Sequence, residues 1–392
     1  MAITLLITDK TLRVQGDPLV GWTDLDVTRK FREPAAGTVT LPAYPEVMAQ
    51  LQPSNRMVVI RDGTIWTAGP MEQPTDYEWS VDDQPGVGRV TVTFSDDLAL
   101  IAGHITWPEP EKTWPLQLGD TWDTYDTVGS ETIIRTLVDT NAGPGARTDR
   151  RVPNLILGPA AGVGTPTSLR TRFEPLLDPC RLAATSGGGI GFRTRQIGSQ
   201  IVFDCYAPVD RTARARFSTG LGNLRGVSYT QSAPEATHAL VAGREEEGSS
   251  IRTFVQIADT AAAAAWWRVE KYVDGGADND DTGELTASGT SEIADGAAPV
   301  SLAMVTVDTP DLQAGRDFDL GDLVAVALPH GLQVTDVVRA ITLQATANEG
   351  EQVASVIGSQ DASTDPQTVR LIRTLSRRLG RLETRGTRSA TP

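Results

Sequence analysis

The sequence is poor in the residues from which most catalytic and metal sites are made. It has two cysteines and three histidines in 392 residues. Cys180 and Cys205 cannot form a framework of several disulfides, and neither stands in a C-x-x-C metal or redox pattern. Both read as buried small apolar residues. The histidines lie in no recognisable signature: His104 closes an expected helix, His238 sits in the strand-like ATHALVAG, and His330 in the turn LPHG. Nucleophilic hydrolysis needs a base held beside its nucleophile, and no H-E-x-x-H pair is present to hold zinc. The expectation is a protein that is not an enzyme, with no catalytic, cofactor-binding or metal-binding residues.

Long apolar runs are also lacking. No segment reaches the roughly 18 apolar residues that span a bilayer. The opening MAITLLITDKTLRVQ has neither the basic flank nor the small-residue cleavage site of a secretion signal, so a soluble chain folded in the cytosol is expected. Cationic surface is scarce as well. A formal net charge of −15 argues against DNA or an anionic membrane as partner of the whole molecule.

What the chain does have is turns. With 37 Gly and 24 Pro it reads as many short elements, in two or three domains each large enough for its own core. The expected fold is α+β and mostly β: two β-barrel-like domains flanking an α+β domain, plus a C-terminal helix. The first β-barrel-like domain is assigned to residues 1–105. There RMVVIRDGTIWTAG predicts a hairpin about Asp62-Gly63, and RVTVTFS predicts a strand before a short helix capped by Asp96 or Asp97. The α+β domain, residues 106–222, opens with a Pro/Trp-rich arm. A helix follows, capped by Ser130, with Ile133, Ile134 and Leu137 on its apolar face and Gly143-Pro144 at its end. LRTRFEPLLDPCRLAATSGG predicts a second helix interrupted at Pro175 and Pro179, and a hairpin turns at Gly198-Ser199. Residues 223–360 form the second β-barrel-like domain, with one helical insertion capped by Thr260 and turns at Gly321-Asp322 and Asn348-Glu349-Gly350.

Three motifs resemble sites and fall short. SGGGIGF lacks the lysine and hydroxyl of a phosphate loop and leads into a strand. DNDDTGE places Asp278, Asp280, Thr282 and Gly283 at the first positions of a calcium loop, but the twelfth is Gly289 where a bidentate carboxylate is needed. A solvated acidic loop is expected. Glu109 and Glu111 could serve as paired carboxylates, but nothing separates them from surface charge.

Residues 361–392 are a linker and an amphipathic helix of opposite charge to the rest. Between Pro366 and Pro392 stand seven Arg, no Lys and one Glu. Ile372, Leu375, Leu379 and Leu382 have the spacing of a two-heptad seam and are the expected oligomerisation residues. Arg373, Arg377, Arg381 and Arg385 step by four along another face and are the expected partner-binding residues. Such a helix is marginal alone and forms best where a folded body brings copies together. A helix packed back on its own domain and an arginine helix binding nucleic acid are the alternatives.

The stretches GSETIIRTLVDTNAGPGARTDRRVPNLIL, NLRGVSYTQSAPEATHALVAG, WWRVEKYVD, AGRDFDLGDLVAVAL and VTDVVRAITLQA, in that order, carry a resemblance. The chain resembles the minor tail proteins of long-tailed, non-contractile phages of actinobacteria, tail-hub or tail-tip components similar to the baseplate hubs of contractile phages. The resemblance implies a homotrimer whose two barrels per subunit present six similar faces to a sixfold tail tube. It implies tail tube or distal tail protein above, tip or fibre proteins below, the tape-measure protein as a further partner, and genome DNA only in transit. An added hydrolase or host-binding domain is not expected. Two rival functions are a host-surface glycan binder, with Trp107, Trp114 and Trp122 stacking on sugars, and a cell-wall hydrolase.

Overall fold

The computed structural model describes residues 3–358, apart from 82–85, 119–120, 232, 246–251, 277–278, 280, 298–299, 329–330 and 347–349. The N-terminal stretch is β1 (Ile3–Thr8), β2 (Asp24–Lys30), β3 (Glu33–Pro42), α1 (Pro45–Gln50), β4 (Arg56–Arg61), β5 (Thr64–Glu78) and β6 (Arg89–Ser95). After α2 (Leu98–Ala102) come β7 (Asp123–Gly129), α3 (Ser130–Asn141), β8 (Leu155–Leu157), β9 (Pro166–Thr171), α4 (Leu177–Ser186), β10 (Gly191–Ile197) and β11 (Gln200–Tyr206). The chain then forms β12 (Arg216–Phe217), β13 (Leu224–Gln231), β14 (His238–Glu245), β15 (Arg252–Ala258), α5 (Thr260–Ala265), β16 (Glu270–Asp274) and α6 (Thr282–Asp295). It ends in β17 (Val300–Thr306), β18 (Leu323–Ala327), β19 (Gln333–Thr346) and β20 (Gly350–Gly358).

The protein is mostly β. Its main sheet has twelve strands in the order β1-β4-β5-β6-β3-β2-β19-β20-β17-β13, with β18 beside β19 and β12 beside β18. The sheet is open, and no barrel closes among the described strands. The two β regions are continuous through the antiparallel pair β2/β19, and one hydrophobic core runs beneath both, from Leu5, Val39 and Phe94 to Leu302, Val324 and Ile357.

The same six-strand course is run twice. In the first half β5 pairs with β4 along Thr64–Pro70 and with β6 from Met71 onward, and β6, β3 and β2 follow in order. In the second half β19 pairs with β18 up to Val337 and with β20 from Val338, and β20, β17 and β13 follow. In chain order β1 to β6 thus correspond to β12, β13, β17, β18, β19 and β20. The first strand of each set is the departure: β1 is antiparallel to β4, and the two-residue β12 is parallel to β18.

Modules are inserted into this frame. Between the halves, α3 and α4 pack with β8, β10 and β11 around Ile133, Ile134, Leu137, Cys180 and Phe203. Within the second half, β14, β15, β16 and α6 stand between β13 and β17, and α6 lies against α4 and β9. Cys180 and Cys205 are free and buried, and burial pushes both thiols up, Cys205 to about 12.

Several local expectations change. Gly129 is the cap position of α3, and the Ser130 hydroxyl instead donates to the Gly187 carbonyl. At α2, Asp96 accepts from the Leu98 N–H while Asp97 is turned to Arg56. Asp259, one residue before Thr260, caps α5 by accepting from the Ala262 N–H. The LRTR of the expected second helix is the end of β9, and α4 begins only after Pro175, with Pro179 tolerated in its first turn. The expected acidic loop runs into a helix, α6, capped by Asp281. The turn at Asn348-Glu349 lies outside the described residues.

Candidate functional site

The expected oligomerisation residues Ile372, Leu375, Leu379 and Leu382, and the expected partner-binding residues Arg373, Arg377, Arg381 and Arg385, lie outside the described residues, as do Asp278, Asp280 and His330. Thr282 and Gly283 fall in the first turn of α6 and Gly289 in its interior, where a side chain would meet Ile257. Among the described residues no group of three or more His, Cys, Asp or Glu is placed to hold a metal ion. His104 is tied to the carbonyls of Leu100 and Arg150, and His238 contacts the Thr237 hydroxyl. Glu109 is bound to Lys112. These contacts are structural.

The features suited to a binding task are the seam between the two halves and the edges of the sheet. Arg61, on β4, reaches across the seam. It is paired with Asp308 and with Glu351, donating from Nε to Oε1 of the latter at 2.6 Å, and from Nη1 to the Ala314 carbonyl at 3.2 Å. Burial works against the guanidinium charge, but the two carboxylates outweigh it and its pKa is raised. Arg29, on β2, donates to Asp319 at 3.0 Å, and Arg193 joins the same carboxylate at 3.3 Å. Trp66 lies between the guanidinium groups of Arg29 and Arg61, 4.7 and 5.0 Å from its ring centroid. Arg29, Arg61, Trp66, Arg193 and Asp319 line a cleft of about 760 Å³. The ion pairs of Arg61 with Asp308 and Glu351, and of Arg29 and Arg193 with Asp319, join strands of the first half and the central module to the second half.

Arg32 ties the sheet to the central module. It sits at φ +62° in the turn between β2 and β3, donating to the Ile190 carbonyl at 2.8 Å and to the Thr185 hydroxyl at 2.9 Å. Burial lowers its pKa to about 10.

Among the described strands the main sheet ends at β1, at the two-residue β12 and at β13, and β5 becomes an edge beyond Met71. β13 has a strand neighbour, β17, on one side only. Beyond Met71, β5 has β6 on one side and no strand on the other, where β4 has ended. Past that point Glu72, Gln73, Thr75, Asp76, Tyr77 and Glu78 are exposed. Tyr77, Trp79 and Val81 are 53%, 54% and 81% exposed, at the period-two spacing of one strand face. The polar ends of the two aromatics are satisfied by the carbonyls of Val87 and Gly86, so what is left uncovered is apolar ring. The alternation in TDYEWSV carried this signal in the sequence, and the strand reading of residues 1–105 missed it.

The tryptophans of the Pro/Trp-rich arm divide. Trp107 is covered by Arg150, 4.0 Å from its ring, and Trp122 by Arg170 and Arg172 at 4.4 and 4.1 Å. Trp114, in a 3-10 turn, is 75% exposed.

The fold is found in solved phage proteins. The 43 kDa tail protein of prophage MuSo2 from Shewanella oneidensis aligns with a TM-score of 0.58 and 13% identity, over 92% of this chain and 99% of its own. The tail protein from Neisseria meningitidis MC58 aligns with a TM-score of 0.54 and 11% identity, over 92% and 97%. Prophage tail protein gp18 from Listeria monocytogenes EGD-e aligns at 0.51 and 8%, over 96% and 98%. No curated protein matches the sequence. The model of one sequence family matches residues 4–359, the whole of the doubled sheet and its inserted modules, and by that match the chain belongs to the Siphovirus ReqiPepy6 Gp37-like protein family.

Proposed function

We propose that the chain is a structural subunit of a siphovirus tail, a homotrimeric hub at the tail tip that joins a sixfold tail tube to threefold distal tip proteins and opens for passage of the genome. The observation that carries this reading is the repeated six-strand course within one chain. Three copies then supply six similar units, which is how a threefold ring meets a sixfold tube. The shared fold with tail proteins and the siphovirus family support it. So do the buried ion pairs of Arg61 with Asp308 and Glu351, which join the two halves. The partners are tail tube or distal tail protein above, tip or fibre proteins below, and the tape-measure protein; an acidic surface on the hub's own body, on a distal tip protein or on the end of the tape-measure protein would suit Arg373, Arg377, Arg381 and Arg385. The seam of Ile372, Leu375, Leu379 and Leu382 would zip three tails near the axis. The prevailing negative charge of the chain suits a channel through which DNA slides without sticking.

The test is the mass in solution, by analytical ultracentrifugation, of the full chain and of a version ending at Asp365. A full chain of three copies is expected, weakened by the truncation. A full chain that stays monomeric at high concentration, or that binds or cleaves purified peptidoglycan, would replace the hub with one of its rivals.

A further inference from the structure

We propose that β13 of one copy adds, antiparallel, to the open edge of β5 beyond Met71 in a second copy, with Tyr229 opposite Tyr77. The template for this contact is inside the chain. At the switch point of the second half, β19 loses β18 and gains β2 on that same edge, from Ala340 paired with Lys30 to Thr346 paired with Asp24. At the switch point of the first half, β5 loses β4 and gains no strand among the described residues. The strand that corresponds to β2 is β13, which is open on the side that β2 uses. One copy therefore carries both the vacant edge and the strand that fits it, and the two are not paired with each other. A second copy resolves both.

Register follows from the pairings. Aligning Met71 with Val338 places Phe94 with Ile357, Gly37 with Leu302 and Val27 with Tyr229. By the same ladders Tyr77 takes the place of Leu343, which faces Val27 across the internal join. Tyr229 of the incoming strand thus faces Tyr77, and Val227, in the place of Leu25, faces Trp79. The pairing would cover the half-exposed aromatics with apolar side chains, as β2 covers Leu343 and Ala345. The polar face matches as well. Gln344 donates to Asp26 in the internal join at 2.9 Å, and the corresponding pair is Glu78 with Ser228, an acceptor and a donor. Such a contact is heterologous, and it closes only if its rotation repeats that of the internal join.

The inference rests on the hub reading and supplies the contact between its subunits. The experiment is disulfide trapping in the full chain with Tyr77→Cys and Tyr229→Cys, run beside the unmodified protein's mass. Directly opposed residues have Cβ atoms about 4.5–5.5 Å apart, while a two-residue offset puts them about 7–8 Å apart, out of disulfide reach. Buried Cys180 and Cys205 should not compete. The expected result is a covalent species of up to three copies, formed at least tenfold faster than with Tyr77→Cys and Val227→Cys. Three copies by mass with no in-register disulfide would overturn the strand contact and leave the hub standing. An in-register disulfide in open ladders of many sizes would uphold the contact and overturn the closed ring. No association and no disulfide would overturn both.

Discussion

Leu343 and Ala345 are sealed in the second half of the sheet because β2 lies beside them, 0% and 3% exposed. In the first half Tyr77 and Trp79 hold the corresponding places and stand about half exposed, at 53% and 54%. The difference is a neighbouring strand and not residue chemistry, since both pairs alternate with polar residues at strand period. The halves differ also in their connections. β2 turns directly into β3 at Phe31 and Arg32, whereas between β13 and β17 the chain builds a whole module. The paired strands keep their order through that insertion, because the ladder and the common core specify the order and the connection does not.

The comparison is broken most severely where the halves are fastened. Arg61→Ala removes the guanidinium that the buried carboxylates of Asp308 and Glu351 share. A loss of about 3–5 kcal/mol in denaturant unfolding is expected. Arg56→Ala strands Asp97 inside the first half alone and should cost a similar amount. The two variants separate by place: hydrogen exchange should quicken in β17 and β20 for Arg61→Ala and in β1 and β4 for Arg56→Ala. Identical exchange patterns would show that Arg61 is not the fastening.

The next test exchanges the contents of one corresponding site. Gly37 sits under Phe94 so closely that an added Cβ would lie 2.4 Å from the ring, while its counterpart Leu302 is fully buried. The first half fills that space from the neighbouring strand and the second from its own. Leu302→Ala should therefore cost about 2–5 kcal/mol by opening a cavity. Gly37→Ala should cost about 1–3 kcal/mol by overpacking, and Phe94→Leu in the same chain should recover part of it. No recovery would mean that the two positions do not share one space.

Asp96 adds a pH dependence to the first half. Burial and the charge of Asp97 push its carboxyl up to about 7, against hydrogen bonds from the backbone. The folded state holds its proton where the unfolded chain, near 3.8, has released it. Stability from this group is thus complete below about pH 4 and is lost as pH rises through 7. Asp96→Asn should remove that decline, gaining on the order of 1–3 kcal/mol at pH 8 and nothing at pH 4, with the full linkage reduced because Asp96 keeps some solvent contact. Parallel stability curves for the two proteins would reject the assignment.

Much of this architecture was legible in the sequence where the signal is local. Asp62-Gly63 and Gly198-Ser199 turn their hairpins as read, with Asp62 and Gly63 both at positive φ, and Ile133, Ile134 and Leu137 are fully buried on α3. The pairing of β2 with β19 was not legible, since it joins residues some three hundred positions apart and leaves no trace in spacing. The doubled course was missed for the same reason: Val27 corresponds to Tyr229 and Gly37 to Leu302, so the correspondence lives in the ladder and not in residue identity. Helix α6 was hidden by its composition, TGELTASGTSEIAD, in which two Gly and three Thr depress helix propensity. Packing against α4, β9, β14 and β15 decides it instead. Of the candidate site, the alternation of Tyr77, Trp79 and Val81 could be read from sequence, but that it lies on an uncovered edge could not.

The smallest expected effect sharpens the comparison most directly, because it probes the join itself. Across β2 and β19 the hydroxyls of Thr28 and Thr342 meet at 2.9 Å, with Thr342 almost wholly buried. Thr28→Val alone leaves the Thr342 hydroxyl buried without that partner, and Thr342→Val does the reverse. Each should cost about 1 kcal/mol or slightly more, while the double variant, with two methyl groups in contact, should cost less than the sum. The coupling read from the four proteins by urea unfolding should be roughly 0.2–1 kcal/mol. A coupling of zero would mean that the backbone ladder and the apolar pair Val27 and Leu343 hold the two halves without help from the hydroxyls. In that case the edge beyond Met71, where Asp76 stands in the place of Thr342, would lose nothing by lacking the threonine.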